Sequence, residues 1–185
     1  MKEYLIQFKP FLIFLTKFAV TYLVLTFIYE SYLSQFNEQH FEVDGFTQMV
    51  AHQSQKVLSI FDNQSYTLPN LKEASVKLYY HNQWVSRIIE GCNALSVMIL
   101  FVSFVIAFTG KLKQTLGFIL IGSLLIHIFN VIRIALLCMA IFHFPLYEHM
   151  LHGVIFPLFI YGVVFILWVI WVNNYSFYAE KSIQK

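Results

Sequence analysis

The sequence contains little charge: Asp, Glu, Lys and Arg make up 12% of its 185 residues, about half of the share that is usual in soluble domains. Hydrophobic residues make up 58%, and a soluble domain of this length cannot bury so much apolar surface. The composition therefore excludes an ordinary soluble enzyme and a disordered chain, and it favours an integral membrane protein. The net charge of +2 is too small and too scattered for a nucleic-acid partner.

Cysteine is scarce as well. Cys92 and Cys138 are the two cysteines, which allow one disulfide at most and exclude a disulfide-stabilised scaffold. The sequence neither predicts nor excludes a disulfide between these two cysteines. No carboxylate or cysteine set at a recognised ligand spacing accompanies the seven histidines, so the sequence predicts no metal site and no cofactor.

Long apolar runs are abundant. A spanning helix needs about 20 mostly apolar residues, and four segments have this character: residues 11–33, 92–109, 115–142 and 150–172. We therefore predict an all-α integral membrane protein built as a four-transmembrane-helix bundle. The first run is too long for a cleavable signal peptide, and no small-residue cleavage site follows it.

The distribution of lysine predicts the orientation of these spans. Residues 1–10, 110–114 and 173–185 carry lysines and alternate correctly to share the cytoplasmic side. Residues 34–91, which are net acidic, and the short turn 143–149 then lie on the opposite side. The sequence thus predicts that both termini are cytoplasmic.

The long extracytoplasmic segment, residues 34–91, has its own structural signals. Apolar residues near helical spacing predict an amphipathic helix on the membrane surface over residues 45–61. Residues 63–70, which include a proline, are predicted to form a loop. Two β-prone runs, 75–80 and 84–89, lie on either side of His81 and Asn82 and predict a β-hairpin that leads directly into Cys92.

The unusual polar residues of the spans gather near one predicted face. Cys92 begins the second span, Arg133 lies in the outer half of the third, and Asn130 precedes Arg133 by one turn. His149 and His152 flank the start of the fourth span. A cation within a span costs about 2.5–3.5 kcal/mol or more, so it normally faces a bundle interior or a watery cavity.

Each of these residues has a structural and a functional interpretation. Arg133 either clamps backbone carbonyls or Glu90, or it binds an anion. Asn130 either supports the guanidinium or bonds a neighbouring helix. Cys92 is either a small apolar filler or a thiolate favoured by the start of a helix. Cys138 lies in a plain apolar stretch and is interpreted as a packing residue.

A thiol, an imidazole and a guanidinium together form a set suited to acyl transfer. The histidine takes the thiol proton and later gives it to the leaving amine. The arginine stabilises the oxyanion of the tetrahedral intermediate, because a fixed positive charge acts strongly in a water-poor site.

Two motifs carry a resemblance to a known family. Glu-Gly-Cys-Asn-Ala-Leu at 90–95 and Asn-Val-Ile-Arg-Ile at 130–134, with a histidine at the head of the next span, resemble the exosortase/archaeosortase family of membrane-embedded sorting enzymes. The order and the spacing by spans match over about residues 85–172. The stretch His-Gly-Val-Ile-Phe-Pro-Leu-Phe-Ile-Tyr-Gly at 152–162 is similar to the branch of this family called XrtF.

The resemblance implies a cysteine peptidase or transpeptidase of the bacterial inner membrane. Such enzymes recognise an exported protein by a C-terminal signal made of a short motif, a spanning helix and a basic cluster. They cleave it at the outer face, among membrane lipid, and pass it to a cell-surface acceptor.

The resemblance also implies roles for individual residues. Cys92 would be the nucleophile and Arg133 the essential cation. His152, at the membrane edge, is preferred as the catalytic histidine, although His149 also fits. The family often has a small residue and Gly after the cysteine, whereas this chain has Asn93 and Ala94, so Asn93 is expected to shape the oxyanion site differently.

Two other function classes remain open from the sequence. The chain is alternatively a non-enzymatic scaffold or assembly factor of a surface-export system, in which the extracytoplasmic segment carries the function. A transporter or lipid-binding protein that uses Arg133 for an anionic headgroup is less favoured, because four spans without a paired repeat are atypical of transporters.

Overall fold

The protein combines a helical bundle with a small antiparallel sheet. A computed structural model describes residues 2–37, 40–108 and 110–176, with side chains from residue 8 onwards. In these residues the α-helices are α1 (Lys2–Leu33), α2 (Gly45–Leu58), α3 (Leu95–Ala107), α4 (Leu112–His143), the single turn α5 (Glu148–Met150) and α6 (Phe156–Asn174). The strands are β1 (Tyr66–Pro69), β2 (Val76–Tyr80) and β3 (Gln83–Ile88). Residues 177–185 of the predicted tail lie outside the described residues.

Within the described ranges, three helical segments are long and apolar enough to cross a membrane: Phe8–Leu33, Leu112–His143 and Pro145–Asn174. They correspond to the first, third and fourth predicted spans. The structure therefore supports a membrane protein with three such helices.

The second predicted span, residues 92–109, is only partly helical. Helix α3 has 13 residues, which rise about 20 Å, against a hydrocarbon core of about 30 Å. The sequence predicted that Cys92 begins this helix. Instead, Cys92 ends a 3-10 turn, Glu90–Cys92. Ala94 follows with a left-handed φ of 66°, which interrupts the helix before Leu95.

Helices α3, α4 and α6 enclose the core of the bundle. Its fully buried large side chains are Phe101, Val105, Ile126, Val164 and Trp171. Gly122 of α4 allows the ring of Phe101 to pack against the helix backbone, because a Cβ at this position would overlap that ring. Small residues permit such close approach between membrane helices. Helix α1 packs along α3, and none of the residues in its most apolar window is buried.

A second core lies where α2 and the sheet cover the C-terminal part of α4. We call α2 and the three strands the cap. Buried side chains of α2, the sheet and α4 form the core between the cap and α4, among them Val50, Leu58, Leu78, Ile88, Ala135 and Cys138. The sequence predicted that α2 lies on the membrane surface. Its buried side instead contacts α4 and the sheet. Helix α2 also ends at Leu58, earlier than residue 61.

The predicted hairpin is confirmed. Strands β2 and β3 pair antiparallel, with Tyr80 opposite Gln83. His81 and Asn82 form the turn with φ values of 50° and 60°, as two-residue hairpin turns of the primed type require. The loop predicted over residues 63–70 is wrong in part, since β1 pairs with β2 there. Its proline, Pro69, lies at the end of an edge strand, where a missing N–H is tolerated.

The end of the bundle opposite the cap joins two of the predicted cytoplasmic regions. Gly110 forms a β-bridge with Ser176, and the Trp171 indole donates a hydrogen bond of 3.0 Å to the Phe108 carbonyl. The turn between α3 and α4 therefore lies beside the end of α6. The side of the membrane that this end faces stays a prediction.

Candidate active site

Cys92, Arg133 and His152 line one cavity of about 390 Å³, which we call the cleft. It lies between β3, helix α4 and the helical turns that precede α6. The remaining lining residues come from these same elements: residues 84–89, Ile134, Leu137, Ile141 and Glu148. The structure thus brings together three of the four residues predicted to be catalytic. Both histidines are exposed, but His149, the fourth predicted residue, does not line the cleft.

The backbone at Cys92 is held from two sides. Its N–H donates to the Ile89 carbonyl at 2.9 Å, which closes the 3-10 turn after β3. Its carbonyl accepts a hydrogen bond of 2.8 Å from Nδ2 of Asn130, which is almost fully buried. Asn130 therefore joins α4 to the cysteine turn. Its amide bonds a neighbouring segment of backbone and not the guanidinium of Arg133.

The two thiols occupy different environments. Both are free, so the disulfide left open by the sequence is absent. The Cys92 side chain is half-buried at the cleft, whereas Cys138 is fully buried in the core of the cap. This contrast agrees with the interpretation of Cys138 as a packing residue.

Asn93 is engaged inside the protein. Its Nδ2 donates to Thr47 Oγ1 at 3.0 Å and to the Tyr29 hydroxyl at 3.2 Å, and its Oδ1 accepts the Leu95 N–H at 2.8 Å. One buried amide thus ties α1, α2 and the start of α3 together. The expectation that Asn93 shapes an oxyanion site is not supported, because these contacts occupy the side chain away from the cleft.

Glu90 is not the partner of Arg133. Its carboxylate accepts a hydrogen bond from the Tyr29 hydroxyl. Within the described part of the chain, Arg133 forms no salt bridge and no hydrogen bond, and its Nε is buried without a partner. The missing partners contradict the clamp interpretation, and they leave the guanidinium at the cleft without a carboxylate or a carbonyl to bind.

His152 lies in a π-helical segment, Leu151–Ile155. Such segments are rare and often occur at functional sites. Pro157 follows in the first turn of α6. Its ring removes a backbone N–H and crowds the carbonyl four residues earlier, at Gly153, which opposes regular α-helical spacing.

The sequence interpretation missed Glu148, which also lines the cleft. Glu148 precedes His152 by four residues, and such spacing places two side chains on one side of a helix. The Glu-His-Met-Leu-His run at 148–152 carried this signal.

Arg87 of β3, which was also missed, is held on the wall of the cleft by a carboxylate. Its Nη1 lies 2.6 Å from both Oε1 and Oε2 of Glu73. The hydrogen bonds from this guanidinium are the main reason that the pKa of Glu73 lies below its ordinary value. Because Arg87 is paired, its charge differs in role from that of Arg133.

Among the residues that the structure describes, no three His, Cys, Asp or Glu side chains lie together in a way that could hold a metal ion. No protein-family model, no curated protein and no solved structure matches the chain significantly.

Proposed function

We propose that this protein is a membrane-embedded cysteine peptidase or transpeptidase, similar to exosortases, that processes C-terminal sorting signals of exported proteins. The observation that supports this proposal is the shared cleft of Cys92, His152 and an unpaired Arg133. A thiol, an imidazole and a free cation are the groups that acyl transfer needs.

The reaction follows from these groups. His152 accepts the proton of the Cys92 thiol, and the sulfur attacks the carbonyl carbon of the scissile peptide bond. Arg133 stabilises the resulting oxyanion. The C–N bond then breaks, His152 donates the proton to the leaving amine, and a thioester remains. Water hydrolyses this thioester, or the amine of a cell-surface acceptor displaces the sulfur.

The proposal includes a fourth membrane crossing. Asn130, which bonds Cys92, lies eighteen residues after Leu112, or about 27 Å along α4. The segment from Cys92 to Lys111 covers this distance in the opposite direction, with α3 as its helical part. Cys92 then lies about one hydrocarbon thickness from the opposite end of the bundle, at the outer face of the bacterial inner membrane, and both termini are cytoplasmic.

The reactivity of Cys92 tests the proposal first. In a Cys138→Ala background, a membrane-impermeant maleimide should label Cys92 from the extracytoplasmic side, and Cys92→Ser should abolish this labelling. In the reciprocal Cys92→Ser protein, Cys138 should stay unlabelled until the protein unfolds. An inert Cys92 would contradict a catalytic thiol.

Processing tests it directly. A co-expressed exported protein that ends in a short motif, a spanning helix and a basic cluster should be cleaved by the wild type and not by Cys92→Ala. Cleavage at the wild-type rate in Cys92→Ala would overturn the proposal. That outcome would favour a non-enzymatic scaffold, whose function would reside in the cap.

A further inference from the structure

The free edge of β3 forms one wall of the cleft. In the described sheet the strand order is β1-β2-β3, so β3 pairs on one side only. All residues from 84 to 89 line the cleft. A bulge at Val85 interrupts the pairing, since Tyr79 lies opposite Trp84 and Leu78 opposite Ser86. In the regular part of the strand, residues 86–88 line the cleft one after another, although successive side chains of a strand point to opposite faces. This part of β3 therefore presents its backbone edge to the cavity.

Backbone groups on this edge lack backbone partners. Outside its pairing with β2, the backbone of residues 84–88 forms no backbone hydrogen bond within the described ranges. One side-chain contact is present there, from the Trp84 indole to the Ser86 carbonyl at 3.0 Å. An unpaired strand edge is a template on which a further extended chain can pair.

The opposite wall is apolar. Ile134, Leu137 and Ile141 lie along one side of α4 and face the cleft. From Arg133 to Ile141 this helix rises about 12 Å, the length of about four residues of an extended chain. Such a chain would place one set of alternate side chains against the apolar wall.

The base of the cleft holds the groups that act on a peptide bond. Cys92 follows the carboxyl end of β3, and the unpaired Arg133 lies at the same cavity. A chain that runs along β3 toward its carboxyl end therefore delivers a backbone carbonyl to the thiol and to the free cation.

We propose that the substrate polypeptide binds in the cleft as a fourth strand, parallel to β3, with the scissile carbonyl at Cys92. This inference rests on the proposed function. Backbone hydrogen bonds to β3 supply affinity, and the side chains that face Ile134, Leu137 and Ile141 supply specificity for apolar residues at alternate positions. The chain beyond the scissile bond continues to the membrane.

Electrophilic peptides test this arrangement on the full-length Cys138→Ala protein. The probe is a pentapeptide of alternating valine and serine with a chloromethyl ketone at its carboxyl end. Acetyl-alanine chloromethyl ketone is the short control. We expect the pentapeptide to alkylate Cys92 about tenfold faster or more, as the net contribution of two or three backbone hydrogen bonds would allow. Cys92→Ser should show no alkylation.

Backbone methylation identifies the pairing. Amides of a strand point alternately to its two edges, so N-methyl groups on one alternate set should block pairing with β3, and those on the complementary set should not. We expect one methylated pentapeptide to fall to the rate of the short control and the other to keep the enhancement.

The possible failures are distinguishable. Equal rates for both methylated pentapeptides, whether enhanced or lost, would overturn strand addition while the reactive thiol stands. Absence of alkylation even by the short control would overturn the proposed function itself, and strand addition with it.

Discussion

The side-chain amide of Asn130 donates a hydrogen bond of 2.8 Å to the backbone carbonyl of Cys92. The donor belongs to α4, which also carries Arg133, and the acceptor belongs to the turn that carries the thiol. One buried contact therefore sets the position of the proposed nucleophile relative to the cation.

Asn130→Ala should lower stability by about 1–3 kcal/mol, because it removes an almost fully buried donor and leaves the Cys92 carbonyl without its partner. It should also slow processing, since the cysteine turn loses its anchor on α4. Thermal unfolding in detergent and the processing assay measure the two effects. Ser103→Ala is the control: this buried hydroxyl bonds the Ile99 carbonyl within α3, away from the cleft, so processing should persist. Equal processing by both variants would refute a positioning role for Asn130.

The two neighbouring histidines should differ in importance. His152 lines the cleft and His149 does not, so His152→Ala should slow processing by about 10²–10⁴-fold, the usual effect of removing a general acid–base. His149→Ala should stay close to the wild-type rate. A greater loss in His149→Ala than in His152→Ala would reverse the assignment and place the base outside the cleft.

Gly122 should tolerate no larger residue. Gly122→Ala places a methyl group where the buried Phe101 ring packs, and such overpacking costs about 1–3 kcal/mol. Gly117 of the same helix supplies the control, because a Cβ there has no neighbour within 4 Å. Thermal unfolding should separate the variants, with Gly117→Ala at or slightly above the wild type. Unchanged unfolding of Gly122→Ala would show that α3 and α4 pack less closely than described.

The pair of Arg87 and Glu73 predicts a pH dependence of stability. The pKa of Glu73 in the folded protein lies below its ordinary value of 4.5, chiefly because of hydrogen bonds from Arg87. The stabilisation is therefore complete above the ordinary value and is lost as the pH falls through the lowered pKa.

Thermal unfolding between pH 7 and pH 3 checks this dependence. The difference in unfolding temperature between the wild type and Arg87→Gln should shrink toward zero with acidification. Lys72→Gln removes the same charge from a lysine that forms no salt bridge within the described part of the chain, so it should show no such convergence. A constant difference for Arg87→Gln would mean that Arg87 stabilises the cap by packing alone.

Local signals in the sequence were sufficient for several elements. Apolar runs longer than a bilayer core predicted the long helices, because only a helix satisfies its backbone within lipid. The hairpin followed from two β-prone runs around a turn of His81 and Asn82. The same β-prone runs predicted that Cys92 closely follows a strand. Each of these features depends on residues close together in the chain.

Features that depend on contacts between distant parts of the chain could not be predicted from local sequence signals. β1 forms because β2 offers it a partner, so a stretch with Pro69 became an edge strand. The helix at the second span begins only at Leu95, after Asn93, whose side chain hydrogen-bonds Tyr29 and Thr47 on other helices. No local pattern encodes either pairing.

The sequence by itself determined the class of protein and the residues able to carry chemistry. In a chain with so few charges, Cys92, Arg133 and the neighbouring histidines stand out without a structure. Tertiary structure decided which of them lie together. Among the described residues Arg133 has no partner, and Glu90 accepts a hydrogen bond from Tyr29 instead. His152 lines the cleft, and His149 does not. The reason is physical, since partners and orientations arise from packing between α1, β3, α4 and the turns before α6, which lie far apart in sequence.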